Sequence, residues 1–462
     1  MKKVLIISSA VLLLSSCGLY NKYERPSDIQ TSGLIRDVVS DTDTLQVNTD
    51  ENFGQLPWRE VFTDPQLQSL IEKALSQNVD LQNAALNVKM VESALKVAKL
   101  AFVPGIAIAP QGTISRVQMD GATTSKTYQL PISASWNVDL FGNLLNTKRS
   151  AQMQLLATKD YQVAVQTNIV CGVANLYYTL MMLDEQLAIV TDMEGLVKET
   201  WDMMKLQMDL GRARSTSVQS AEASYYQVQA QAVDLRRQIR EMENSMSLLL
   251  NEAGHKIERG KFYNQSLPQK FAAGVGVQLL SNRADVHAAE MALAQCFYDV
   301  QTARSRFYPN ITVTGNAMFS NSLGSAIVNP GKWILSAIGS LTQPVFQHGQ
   351  LVAGLKVAKA KQEQALNTWQ QTVLKAGNEV SNALLAYNSS DEKSQLDQKQ
   401  VDVLTQNVAD TRQLYTSKGS SYLEVISAQS NLLNARISKV SDDLSKMQAV
   451  VNLYQALGGG SK

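Results

Sequence analysis

Residues 78–104 read NVDLQNAALNVKMVESALKVAKLAFVP, and residues 283–309 read RADVHAAEMALAQCFYDVQTARSRFYP. The two stretches align without a gap at an offset of 205. Asp80 falls on Asp285, Ala84 on Ala289, Phe102 on Phe307 and Pro104 on Pro309. The same offset sets Phe141 of DLFG on Phe346 of QPVFQHG. Further along it becomes 207, with Val218 and Ala221 on Val425 and Ala428, so one extra pair of residues lies in the second copy. The chain is an internal duplication, and what one half builds the other builds again.

Each half carries the same order: a helical stretch, two strand-like stretches, a long helix, a tight turn and a helix. The strands are marked by alternation. Tyr128, Leu130, Ile132, Ala134, Trp136, Val138 and Leu140 share one side, while Gln129, Pro131, Ser133, Ser135, Asn137 and Asp139 share the other. Ile311, Val313, Gly315, Ala317 and Phe319 alternate likewise with Thr312, Thr314, Asn316, Met318 and Ser320. This period of two, at this length, suits a tilted membrane-spanning strand. Ile106 to Ile114 and Trp333 to Val345 alternate less cleanly, and 116–126 and 321–332 read as loops.

The helices carry a heptad signal. Positions 176, 180, 183, 187, 190, 194, 197, 201, 204 and 208 step by four and three, and only Glu194 is not apolar. Positions 218, 221, 225, 228, 232, 235, 239, 242, 246 and 249 step the same way. Two such seams joined by the short turn GRARSTS predict an antiparallel coiled-coil hairpin. Val401, Leu404, Val408, Thr411 and Tyr415 repeat it on one side of SKGSSY, and Leu433, Ile437, Val440, Leu444, Met447, Val451 and Tyr454 on the other. No proline lies between Pro131 and Pro268 or after Pro344. A proline inside a helix costs about 3 kcal/mol, so these gaps suit helices over 143–210 and 349–416, each roughly 100 Å at 1.5 Å per residue.

The first residues, MKKVLIISSAVLLLSSC, have a basic start at Lys2 and Lys3 and an apolar run from Val4 to Leu14, too short for a mature membrane helix. The run ends in Leu14-Ser15-Ser16-Cys17, which resembles a bacterial lipobox, so Cys17 is the expected site of diacylglycerol and N-acyl attachment. Gly18, not Asp, follows, which in such lipoproteins favours the outer membrane. The expected organisation is a signal peptide over 1–17, a polar tether over 18–56, a first repeat over 57–268 and a second over 269–462. The net charge of +1 leaves no nucleic-acid footprint. A mean hydropathy of −0.13 excludes a multi-helix inner-membrane protein but not a barrel. Cys171 and Cys296 fall in helical stretches as buried free thiols. His255, His287 and His348 are scattered, and His287 with Glu290 on one helical face reads as structural, so no metal or other cofactor is expected. No acid, base and nucleophile come together, so the chain does not read as an enzyme.

Two strands per half make four per chain. Four strands cannot close a barrel, and an open edge in lipid leaves backbone groups unpaired at several kcal/mol each. The barrel must therefore be shared between chains. Three copies give twelve strands, within the range of outer-membrane barrels, and bring six helical hairpins side by side.

Several motifs carry a family resemblance over nearly the whole mature chain. They are Tyr23-Glu24-Arg25-Pro26, Trp58 with Phe62-Thr63-Asp64-Pro65-Gln66-Leu67, Asn78-Val79-Asp80-Leu81, Ser135 to Gly142, Arg283-Ala284-Asp285, Gln343-Pro344-Val345-Phe346, and Leu453-Tyr454-Gln455-Ala456-Leu457-Gly458-Gly459-Gly460. The chain resembles the TolC/OprM outer-membrane factors, in particular the NodT-type lipoproteins of efflux pumps. Arg283-Ala284-Asp285 departs from the family's Arg-Pro-Asp, at the cost of a rigid helix start.

The resemblance implies an α+β membrane protein of long coiled-coil hairpins forming an α-barrel, joined to a trimeric twelve-stranded β-barrel. It implies a lipid-anchored passive duct in the outer membrane of a Gram-negative bacterium, reaching into the periplasm. Its implied partners are two further copies, a periplasmic adaptor, an RND-type inner-membrane transporter and outer-membrane lipid. The turns at Gly211, Arg212, Arg214 and Ser215 and at Gly419, Ser420 and Tyr422 become periplasmic tips that dock the adaptor. Glu424 becomes a gate carboxylate, with Ser427 in place of a second, and Tyr415 and Arg214 become candidate latch residues between hairpins. A type I secretion duct for proteins and a non-conducting envelope spacer are the rival readings, and four amphipathic strands argue against the spacer.

Overall fold

The structure is a computed structural model, which describes residues 19–26, 53–117, 123–268, 283–321, 333–417 and 421–460. Cys17, Gly18, Gly419 and Ser420 lie outside the described residues.

The duplication is written in the helix lengths. Helices α1 (Trp58–Val61) and α2 (Pro65–Gln77) open the fold. Helix α3 (Val79–Leu100) and its counterpart α6 (Ala284–Ser305) have 22 residues each. Helices α4 (Asn143–Asp209) and α7 (Gln350–Thr416) have 67 each. Helices α5 (Ser215–Leu249) and α8 (Tyr422–Ala456) have 35 each. The offset changes from 205 to 207 within one turn. Phe141-Gly142 leads into α4, whereas Phe346-Gln347-His348-Gly349 leads into α7, so the inserted pair is Gln347 and His348. Both glycines take positive φ, +68° at Gly142 and +79° at Gly349, the left-handed geometry that suits a residue without Cβ. The two hairpins also end alike. Asn251 N–H donates to Leu248 O and Glu252 N–H to Ser247 O, and Gly458 and Gly459 repeat the pattern onto Gln455 and Tyr454. These are Schellman caps, with left-handed Asn251 and Gly458 at the turning point.

The chain divides into two compact units. One gathers residues 86–160 and 287–371 with the N-terminal stretch. It holds an antiparallel sheet of β1 (Gly105–Ile108), β2 (Gln111–Val117), β3 (Thr123–Val138), β4 (Asn310–Asn321) and β5 (Trp333–Thr342). Segments β1 and β2 both pair with β3 in one unbroken register, Gly105 opposite Ser135 and Gln111 opposite Gln129, so they form a single strand interrupted at Ala109-Pro110. Ala109 N–H reaches Pro131 O at 3.2 Å, but Pro131 has no N–H to return. Four strand positions result, in the order β1/β2, β3, β4, β5. The expected alternation over 128–140 follows β3 as far as Val138 and leaves Asp139 and Leu140 beyond the strand, while that over 311–320 lies inside β4. At its start β3 outruns the pattern, because Thr123–Thr127 pair with 113–117 despite lacking an apolar rhythm.

The registers put every even-numbered apolar residue of β3 on one face with the odd-numbered residues of β4 and β5. That face carries Ile106, Ile108, Leu130, Ile132, Trp136, Val313, Leu335 and Leu341. The other carries Ser133, Ser135, Asn137, Thr312, Thr314, Asn316, Ser336 and Ser340, with Pro131, Met318, Ile334 and Ile338 among its apolar exceptions. N-terminal residues 19–26, read from sequence as irregular tether, are docked in this unit. Leu19 is buried, Asn146 Nδ2 donates to its carbonyl at 2.9 Å, and Arg25 makes a two-pronged pair with Glu290.

The second unit gathers 30–85, 161–286 and 372–462, and its core is the helical seam. Leu180, Leu183, Val190, Val197 and Met204 on α4 are buried, as are Val218, Ala221, Val228, Ala232, Leu235, Ile239 and Met246 on α5. The one seam carboxylate, Glu194, is satisfied by Gln229 Nε2 at 2.8 Å. Amides and hydroxyls tie α4 to α8: Gln186 to Ser441, Gln429 to Thr200, Gln448 to Thr179 and Gln455 to Asn168. Asp64 caps α2 and also accepts from Tyr177 Oη at 2.8 Å and Gln265 Nε2 at 2.9 Å. Arg259 pairs with Asp184 and with buried Glu243. Arg283 donates to Asp285, to Glu379 and to Ala456 O at the end of α8. Arg-Ala-Asp thus anchors a helix end without the proline.

Candidate functional site

Two surfaces carry the functional expectation. In the sheet-bearing unit it is the sheet itself. Among the described residues both of its outer strands are edges, since β5 pairs only with β4 and the β1/β2 strand only with β3. Among the described residues the apolar face is uncovered: Ile106, Ile114, Leu335 and Leu341 are all exposed. An uncovered apolar face backed by a face of hydroxyls and amides is the two-sided pattern of a barrel wall between lipid and water. Aromatics gather at the foot of the sheet. Trp136 Nε1 donates to Phe102 O at 3.0 Å, and Phe141 stacks on Tyr308 at 5.0 Å between ring centres. Such rings suit the membrane–water boundary. Tyr20 Oη reaches Leu140 O at 2.7 Å beside them, so the residues that follow Cys17, the expected lipid site, are held next to these rings.

In the helical unit the surface is the hairpin end. Helix α4 closes with Gly211 N–H on Met208 O and Arg212 N–H on Gln207 O, a third Schellman turn, with Gly211 at φ +67°. Arg214 occupies the N-cap of α5 without a side-chain cap, and Ser215 begins the helix. Arg212 and Arg214 are exposed. Ser421 occupies the N-cap position of α8 without a side-chain cap, and its Oγ donates to Glu424 Oε1 at 3.2 Å. Glu424 is exposed in the first helical turn, where the helix dipole favours a carboxylate. Tyr422 is not a free projection. It is half-buried against a small core of Met204, Val218 and Ala221, with Trp201, Tyr415 and Ile426. Tyr415 on α7 donates to Gln207 Oε1 on α4 at 2.7 Å, joining the two hairpins. Burial raises its hydroxyl above the usual tyrosine range, against a smaller opposing effect of Gln207. Arg214 makes no such bridge among the described residues.

The remaining candidates are structural in their surroundings. His287 Nδ1 lies 2.6 Å from Asp160 while Glu290 turns to Arg25, so the two part company. No cluster of three or more potential metal ligands occurs among the described residues. Cys171 is buried, and burial pushes its thiol up to about 12. Cys296 is only half-buried, unlike the expectation from sequence. The docking of 19–26 was missed. Its only signal was the apolar and aromatic Leu19, Tyr20 and Tyr23 within an otherwise polar run.

A membrane-type sheet left open at both edges, on a chain whose other unit is a pair of long helical hairpins, defines a subunit of an envelope-spanning outer-membrane channel. The chain belongs to the outer membrane efflux protein family, whose profile matches residues 70–252 and 275–459. The two matched segments begin 205 residues apart and end 207 apart, one on each half of the duplication. Among curated relatives, the cation efflux system protein CusC of Escherichia coli K12 is 26% identical over 458 residues, covering 97% of each chain. The probable outer membrane lipoprotein SilC of Salmonella typhimurium is 26% identical, covering 99% of this chain and 98% of SilC. The toluene efflux pump outer membrane protein TtgC of Pseudomonas putida is also 26% identical, covering 99% and 96%. The solved structure of the outer-membrane channel OprN superposes with a TM-score of 0.87 at 21% identity, covering 96% of this chain and 99% of that one. The chain is thus an outer-membrane efflux protein with the channel fold.

Proposed function

We propose that copies of this chain, three by strand arithmetic, close a twelve-stranded barrel and form the passive exit duct of a tripartite efflux machine. Cys17 carries the lipid anchor, in keeping with the name lipoprotein borne by SilC. A periplasmic adaptor meets the hairpin ends around Gly211 to Ser215 and Gly419 to Tyr422, and an RND-type transporter supplies the energy. The observation that carries this reading is the pair of unpaired sheet edges beside an uncovered apolar face. A single copy in lipid leaves a row of backbone groups unsatisfied, and only neighbours remove that cost.

The water-side face, with its Ser, Thr and Asn side chains, suits passage without strong selection. Relatives named for cations and for toluene are equally similar, which fits substrate choice residing in the transporter. The test is reconstitution. Protein extracted from envelopes should sediment as an oligomer rich in sheet and give stepwise currents in planar bilayers. A sheet-free monomer that passes no current would refute the duct. Co-purification of an RND transporter and adaptor supports the small-molecule role, and recovery of a secretion ATPase would replace it with protein export.

A further inference from the structure

Near the hairpin ends, α4 and the second hairpin leave a cavity of about 100 Å³ between them. Met204, Val425 and Thr200 line it as buried residues, and Met203, Tyr415 and Tyr422 as half-buried ones. Met204, Tyr415 and Tyr422 belong to a small core that is separate from the main helical one. We infer that this cavity binds a single-ring aromatic hydrocarbon and that the bound ring holds the two hairpins together. The binding is a property of one chain, whereas its effect on opening rests on the duct proposed above.

The lining favours a ring over water. A buried water needs about two to four polar partners. The Thr200 hydroxyl donates to Leu196 O at 3.0 Å and accepts from Gln429 Nε2 at 3.1 Å. The Tyr415 hydroxyl donates to Gln207 Oε1 at 2.7 Å. Arg412, the charged residue of the lining, donates to Glu199 at 2.9 Å. With these groups committed, the surface offered to a guest is mostly thioether, ring and methyl. Sulfur lies favourably against an aromatic ring at about 5 Å. An apolar cavity of about 150 Å³ takes up benzene and stays dry without it. Methionine is unbranched and adaptable, so Met203 and Met204 can yield the remaining space.

The duplication supplies a comparison. At the offset of 207, Met203, Met204 and Tyr422 correspond to Asp410, Thr411 and Ser215. The repeated fold therefore does not require an apolar lining at this level of a hairpin. The apolar lining is present where Tyr415 ties α7 to α4.

The effect on opening follows from linkage. Met203 and Met204 stand on the first hairpin, and Tyr422 and Val425 on the second. A ring in contact with both sides exists only while the hairpins are joined. A ligand that binds one state alone shifts the equilibrium toward it by the factor 1 + [L]/Kd.

Methyl-labelled methionine reads the site in the intact oligomer. Benzene is supplied as vapour at fixed pressure, so that detergent or lipid does not change its activity. The Met203 and Met204 methyl signals should shift and saturate, whereas that of Met90, 62% exposed on α3, should not saturate. Val425→Leu, the smaller change, and Val425→Phe fill the cavity in two steps. Each should remove the saturating shift in material that still sediments as an oligomer. In planar bilayers, benzene at about ten times its half-saturating pressure should lower the open-to-closed ratio of the wild type about tenfold. The same pressure should leave the ratio of the filled variants unchanged. Shifts that rise linearly at all three methionines, or that persist in both filled variants, would overturn the site. Saturation without a change in opening would overturn the clamp. An absence of current in wild type and variants alike would overturn the duct, and the methyl titration would still decide the site.

Discussion

Tyr415 donates its hydroxyl to Gln207 Oε1 at 2.7 Å, and the two residues belong to different hairpins of the same chain. The bond lies one residue from the end of α7 and one turn from the Gly211 cap of α4. A tie at this position opposes separation of the hairpins. Tyr415→Phe removes it while keeping the ring in the Met204 cluster. A half-buried hydrogen bond contributes about 0.5–1.5 kcal/mol, up to about a tenfold change in a closed-to-open ratio. The variant should show more frequent open events in planar bilayers. The nearby Arg412–Glu199 pair, 2.9 Å apart on the surface, contributes at most about 1 kcal/mol, so Glu199→Gln should have the smaller effect. Equal opening for wild type and Tyr415→Phe would remove Tyr415 from the gate.

Glu194 is the single polar residue of the first seam, and its partner Gln229 also donates to Tyr225 Oη at 2.8 Å. Replacing the carboxylate with an apolar side chain restores the heptad and leaves Gln229 one remaining partner. Glu194→Leu should therefore unfold within about 1 kcal/mol of wild type. Gln229→Leu strands the half-buried carboxylate without its donor, at a cost of about 1–3 kcal/mol. Thermal melts of the two variants in detergent separate these outcomes, and the reverse order would mean that Glu194 is fully hydrated.

The helical seams were legible because heptad spacing reports burial directly: Val190, Val197, Val228 and Leu235 are where the pattern put them. Strand alternation was legible for the same reason from Leu130 to Val138. Other features left no periodic trace. The break at Pro110 depends on Pro131 across the ladder, a fact of register that local pattern does not contain. Thr123 to Thr127 are strand because of what they pair with. The linker network of Asp64, Tyr177, Gln265 and Gly260 joins residues far apart in sequence through single polar atoms. At the hairpin ends, sequence located the turns but not their direction. Tyr422 turns into the core, and Arg214 stands clear of the latch expected of it.

Asp64 gives the helical unit a pH dependence. Burial opposes its charge, but donors at Tyr177, Gln265 and the Gln66 and Leu67 backbone outweigh burial and hold the carboxyl below the usual range. Burial likewise opposes, and Arg283 outweighs, at Asp285. A carboxyl depressed in the folded state stabilises above its unfolded value, about 3.9 for Asp, and that contribution is lost as pH falls through the lower folded value. Asp64→Asn keeps an oxygen for the helix cap but sets an NH2 group against the Gln265 donor. It should be less stable than wild type by about 1–2 kcal/mol at pH 7. The gap should narrow as pH falls below the unfolded Asp value of about 3.9 and wild type progressively loses its carboxylate. A gap independent of pH in acid-to-neutral melts would show that the charge is not what Asp64 contributes.

Glu424 is exposed in the first turn of α8, held by Ser421 Oγ and by the dipole of its own helix. In a closed ring each copy brings one such carboxylate to the same level. Like charges at this spacing repel in water by about 1 kcal/mol at 4 Å and less beyond, and a divalent cation between them relieves the repulsion. Glu424→Ala should weaken block of the bilayer current by Mg²⁺ or Ca²⁺. Raising monovalent salt should weaken the wild-type block as well, because exposed charges are screened beyond about 10 Å at 0.1 M. Ser427→Asp, one helical turn on, adds a second ring and should strengthen the block. The three measurements separate a carboxylate gate from a solvated surface charge. The first requires all three shifts, whereas the second leaves the block unchanged in both variants.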